Sequence, residues 1–167
     1  LPAGMAPGVA VGSANGYQHI SEVQHLRTDA PWQVRLRVPE AGAVALTALG
    51  EPGTELFVGA GVTGRNVERC PVVIARRRAA NTLFVAAISW ASGAPAVQAL
   101  ERVSVAAQGD RALGLRVVRD GGEDLLLLAP KTPGVKTIGG LQTAAQLLFV
   151  SRADGQVRAL EQVDEVP

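Results

Sequence analysis

The chain has 167 residues, 47% of them apolar and 4% aromatic, with a net charge of +1. That length and apolar share support one globular domain and exclude disorder throughout. The near-neutral balance leaves no electrostatic footprint for nucleic acid, and neither a spanning apolar run nor a polybasic membrane anchor is present.

Residues 1–16 are Ala, Gly and Pro with little else polar, and read as a linker or lead-in. They carry no basic n-region and no initiator Met, so the expectation is a piece of a longer protein. From Tyr17 the pattern has period 2, placing Tyr17, His19, Ser21, Val23, His25 and Arg27 on one face of a long strand. Neither face is cleanly apolar, as at a sheet edge. Residues 32–38 alternate cleanly, with Trp32, Val34, Leu36 and Val38 inward and Arg35 and Arg37 outward. Strands follow at 43–49 and 54–59, separated by Gly/Pro turns, and residues 60–69 read as a glycine-bearing loop. Across its start GAGVTG, Gly59 to Gly64, fits Gly-x-Gly-x-x-Gly, but no helix follows it, which removes the dinucleotide reading.

The segment RCPVVIARRRAANTLFVAAISW is expected to form the central hairpin, with strands 72–78 and 81–90 joined at Ala79-Ala80. Its second strand reads as buried on both faces. Further strands are expected at 97–105, 112–119, 123–128, 146–152 and 156–162, with KTPGVKTIGG as a loop and Asp154-Gly155 as a hairpin turn. Segments 94–101 and 141–148 are open to a helical reading. Turn signals roughly every eight to twelve residues and short strands give an all-β fold, an antiparallel β-sandwich of about ten to twelve strands over 17–167.

Chemistry is sparse. His19 and His25, six apart on one strand, would stand roughly 20 Å from each other at about 3.3 Å per residue, too far to share a metal. Adjacent carboxylates at Glu123-Asp124 and Asp164-Glu165 face opposite ways on a strand and read as solvated turn charges. Cys70, alone and beside Pro71, excludes an internal disulfide and reads as structural or incidental. Trp32 and Trp90, interleaved with aliphatic residues, read as core. Arg76 and Arg78 share a face and are candidates for pairing with carboxylate or sulfate. Tyr17 is the candidate stacking platform for a sugar. No residue set calls for a metal or a cofactor.

Three ordered segments, GYQHISEVQHLRTDAPWQVRLRV, PVVIARRRAANTLFVAAI and LLFVSRADGQVRALEQV, resemble the C-terminal β-region of heparinase II/III-like polysaccharide lyases, the oligoalginate lyases among them. The match rests on strand patterns: Gly16-Tyr17 with Ile20, then Trp32, then Pro71, Val72, Val73, Arg76, Arg77, Thr82, Phe84 and Val85. It covers roughly residues 16 to 163. The resemblance implies a terminal sandwich behind an α/α-toroid and a central sheet, in enzymes that cleave uronic-acid polysaccharide by β-elimination. There a Tyr or His takes the C5 proton while Asn, His or Arg neutralises the carboxylate, all upstream of this region. The chain lacks a His-x-His-x-x-Asp segment, so no catalytic residue carries over.

The expectation is therefore an accessory, non-catalytic β-sandwich, periplasmic or secreted, whose partners are upstream catalytic domains of the same parent and an acidic polysaccharide. Its carbohydrate contacts would be Tyr17, His19, Arg76 and Arg78, and neither nucleic acid nor membrane insertion is expected. The alternatives are a free-standing carbohydrate-binding module, marked by two or three solvent-facing aromatics on one sheet, and a structural or assembly domain. An exposed apolar face without a groove would mark the last.

Overall fold

The computed structural model describes residues 1–8, 10–13, 16–38, 42–63, 68–91, 96–108 and 112–164. These residues hold fifteen strands and one short 3-10 turn, an all-β, antiparallel, sandwich-like architecture. By its internal packing the chain divides into two compact units, Leu1–Ala86 and Ala87–Pro167.

In the first unit, β1 (Ala6–Pro7) is followed by the 3-10 turn Tyr17–His19 and by β2 (Ser21–Thr28), β3 (Trp32–Val38), β4 (Gly42–Ala48), β5 (Thr54–Thr63) and β6 (Glu68–Arg76). Strands β1, β2, β5 and β6 form one sheet in that order. The β3–β4 hairpin supplies a second layer, its register running from Trp32 opposite Ala48 to Val38 opposite Gly42. Strict alternation explains the hairpin: Trp32 and Val34 are buried while Arg35 and Arg37 are exposed. Trp32, Val34 and Ala48 meet Leu56 and Val58 of β5 in a core flanked by Leu26, Val73 and Ala75. The lead-in contributes to this unit through β1, which pairs with His25 and Gln24 of β2, and through the buried Val11.

Three expectations give way here. The long strand from Tyr17 begins only at Ser21, and its alternation breaks at a bulge between Ser21 and Gln24, where Glu22 holds φ 54°. Second, the presumed loop at 60–69 is largely strand: β5 runs to Thr63 and β6 starts at Glu68, while residues 64–67 lie outside the described residues. Gly59 and Gly61 sit within β5; a Cβ on Gly59 would lie 2.8 Å from the Ser21 carbonyl oxygen. Third, the central hairpin does not form. β6 pairs with β5 from Glu68 through Arg76, and residues 77–85 are not strand. Ala79-Ala80 offers neither Gly nor Asn for the positive φ that a two-residue turn needs. Pro71, which lacks an N–H, is accommodated because β6 is the last strand of its sheet.

β7 (Ala86–Ala91) spans the division between the units. The second unit continues with β8 (Val97–Val103), β9 (Val105–Ala106), β10 (Leu113–Arg119), β11 (Gly122–Leu128), β12 (Lys136–Ile138), β13 (Leu141–Thr143), β14 (Leu147–Ala153) and β15 (Gln156–Val163). One sheet has the order β15-β14-β11-β10-β8, and a smaller one the order β13-β12-β9. Leu125, Leu127, Ala129, Ile138, Leu148 and Val150 form the core of this unit. Of the two segments open to a helical reading, 97–101 is β8 and 141–148 holds β13 and the start of β14. The presumed loop KTPGVKTIGG contains β12, turned into β13 by Gly139 and Gly140 at φ 54° and 79°. Asp154 and Gly155, at φ 52° and 72°, turn β14 into β15 as their sequence predicts.

A candidate anion-binding site

Register across β2, β5 and β6 builds the site. Arg27 lies opposite Glu55, and Glu55 opposite Arg76, so one row across three strands reads positive, negative, positive. The next row on the same face is His25, Phe57 and Ile74. Phe57 is buried between two flat groups: the His25 ring stacks on it at 4.5 Å, and the Arg76 guanidinium lies 4.5 Å from its centroid.

Each carboxylate oxygen of Glu55 takes a different guanidinium. Arg27 donates from Nε and Nη2 to Oε1 at 2.9 and 2.6 Å, and Arg76 donates from Nε to Oε2 at 2.6 Å. Arg76 also donates from Nη1 to the Val11 carbonyl at 2.6 Å, which ties the lead-in to the sheet. These bonds, from Arg76 first and then Arg27, hold the Glu55 carboxyl below its ordinary value. The His25 Nε2 stands 4.0 Å from Glu55 Oε1.

Beyond β6, Arg77 donates to Thr54 Oγ1 at 2.7 Å, to Thr82 Oγ1 at 2.9 Å and to the Leu83 carbonyl at 2.8 Å, with its guanidinium 4.1 Å from the Phe84 ring. Arg78 is exposed and has no ion-pair partner among the described residues. Together Arg27, Arg76, Arg77 and Arg78 line an open cleft of about 720 Å³ with Glu55 and Asp29. Four guanidiniums against two carboxylates leave an excess of two positive charges. Asp29 is engaged elsewhere, its Oδ1 accepting the Gly53 N–H at 2.8 Å.

Arg76 and Arg78 line the same cleft, but not through strand alternation: β6 ends at Arg76, and Arg77, which alternation would turn to the opposite face, lines the cleft with them. Tyr17 and His19 do not join it. Tyr17 is half-buried in the 3-10 turn against Gly12. His19 is exposed beside Gln18, its Nε2 3.4 Å from the Gln18 Nε2, in a separate cleft with Ser21, Val62 and Arg69. The residues missed in the sequence are Arg27, Glu55 and Arg77. Glu55 is the only charged residue in β5, a signal visible in one strand, but its two partners come from strands 28 and 21 positions away.

The tryptophans part company: Trp32 is buried, whereas Trp90 is 66% exposed and Ile88, two positions before it on β7, is 69% exposed. Glu123 and Asp124 are not free turn charges. On β11 Glu123 pairs with Arg116 at 2.6 Å and Arg152 at 3.5 Å, and Asp124 with Arg119 at 2.7 Å. The cleft that Glu123 borders has Arg116 and Arg152 against Glu123 and Asp154, an even balance that suits a structural ladder.

Chemically, the arginine cleft offers an excess of fixed positive charge. Guanidinium keeps its protons in proteins, and a carboxylate held ionised by two guanidiniums is a weak base. No group of three or more His, Cys, Asp or Glu side chains among the described residues is placed to hold a metal ion. No protein-family model, curated protein or solved structure matches this chain.

Proposed function

We propose that this chain is an accessory, non-catalytic β-sandwich module that holds an acidic polysaccharide through its arginine cleft. The reading joins the resemblance to heparinase II/III-like lyases with one observation, the cleft's surplus of guanidinium, in which Arg78 has no ion-pair partner among the described residues. Guanidinium matches carboxylate and sulfate in a planar, two-bond geometry, and successive arginines suit a chain that repeats its charge. In this role the module anchors uronic-acid polymer for catalytic domains upstream in the same parent, in the periplasm or outside the cell. Calorimetric titration of a galacturonate tetramer into the chain tests it. We expect binding that weakens with salt, and a loss of about tenfold in Arg78→Ala, roughly 1.4 kcal/mol. Salt-independent binding, or an Arg78→Ala protein that binds as tightly as the parent sequence, would refute it.

One observation favours a second reading, an assembly domain. Ile88 and Trp90 present large apolar side chains on the same face of β7 to solvent.

A further inference from the structure

We infer that Glu55 is a built-in occupant of the arginine cleft, an internal carboxylate that denies Arg27 and Arg76 to single anions and yields Arg27 to a polyanionic chain. The inference rests on the anion-binding reading above and adds how that site selects its ligand.

The geometry separates the four arginines. Arg76 is fixed on three sides, by Glu55, by the Val11 carbonyl and by the Phe57 ring. Arg77 is fixed by Thr54, Thr82 and the Leu83 carbonyl. Among the described residues Arg27 is held by Glu55 alone, and its side chain is 78% exposed. Arg78 is exposed and carries no counter-charge among the described residues. Glu55 therefore sits against Arg27 where a ligand carboxylate would sit, with the advantage of a tether. An intramolecular group competes at an effective concentration in roughly the millimolar range or above. A lone carboxylate must outbid it. A chain with several charges first engages Arg78, and its next charge then competes with Glu55 on equal, intramolecular terms. The cleft so arranged prefers polymers to monomers without any size-selective wall.

The test compares a galacturonate monomer with the tetramer, titrated into the whole chain and into Glu55→Gln, Arg27→Gln and Arg78→Gln. The unmodified chain is expected to bind the tetramer and to show no heat with the monomer at the same concentration. Glu55→Gln is expected to bind the tetramer about tenfold tighter and to gain monomer binding, since Arg27 is released. Arg27→Gln should lose less than roughly threefold and Arg78→Gln about tenfold, because the charge of Arg27 is already answered. If the chain binds the tetramer but Glu55→Gln binds no tighter, Glu55 is no competitor and the inference falls alone. Equal losses in Arg27→Gln and Arg78→Gln overturn it too, and decide the matter if Glu55→Gln does not fold. Should neither the chain nor Glu55→Gln bind the tetramer, the anion-binding reading falls, and the inference with it.

Discussion

Single side chains in this protein owe their behaviour to who stands across the sheet. Asp124 is the clearest case. Its carboxyl is held below its ordinary value chiefly by the hydrogen bond from Arg119, opposed by partial burial and helped by Ser151. Arg119 donates from Nε and Nη2 to both carboxylate oxygens, at 2.9 and 2.7 Å, and from Nη2 to Ser151 Oγ at 2.6 Å. A carboxyl whose folded pKa is depressed contributes stability that is complete above its unfolded pKa and is lost as pH falls through the folded one. The expected result is a urea midpoint that drops below about pH 4 and drops less steeply in Asp124→Asn. Identical acid limbs in the two proteins would show that the pair contributes nothing. Glu55 carries the same sign and keeps some acid sensitivity in the Asn variant.

At the scale of elements, the close approach of β2 to β5 depends on a missing side chain. Gly59 faces the bulge at Glu22, and a Cβ there would meet the Ser21 carbonyl at 2.8 Å and the Ile20 Cγ2 at 2.9 Å. A backbone oxygen cannot swing away as a side-chain tip can. Gly59→Ala is therefore expected to destabilise the first unit by about 1–3 kcal/mol, read as a lowered urea midpoint at unchanged slope. An unchanged midpoint would mean that the bulge opens without cost. Past the bulge, β2 sets His25 and Arg27 opposite Phe57 and Glu55, whereas Tyr17 and His19 lie before it in the 3-10 turn.

For the whole molecule, the two tryptophans report on surfaces that the sequence makes look alike. Trp32 is 7% exposed and Trp90 is 66% exposed. Iodide is expected to quench Trp90 and spare Trp32, so Trp90→Phe leaves blue-shifted emission that iodide barely touches. Protected Trp90 in dilute protein, with Ile88→Ser or Trp90→Ser converting an oligomer to a monomer in sedimentation, would favour the assembly reading instead. No helix among the described residues is long and apolar enough to cross a membrane.

The sequence by itself determined the all-β class, the β3–β4 alternation, and the β10–β11 and β14–β15 hairpins. These follow from period-2 hydrophobicity and from turn residues such as Asp154-Gly155, which act over a few positions. Only the tertiary structure decided the partner of β6, the exposure of Trp90, the hairpin hidden at 136–143, and the place of Glu55. Apolar runs such as 81–90 look the same whether they meet a core or solvent, and three-residue strands are too short to show a period. The row from Arg27 through Glu55 to Arg76 depends on the registers of three strands, one of them shifted by a bulge, and register is set by contacts between residues far apart in the chain.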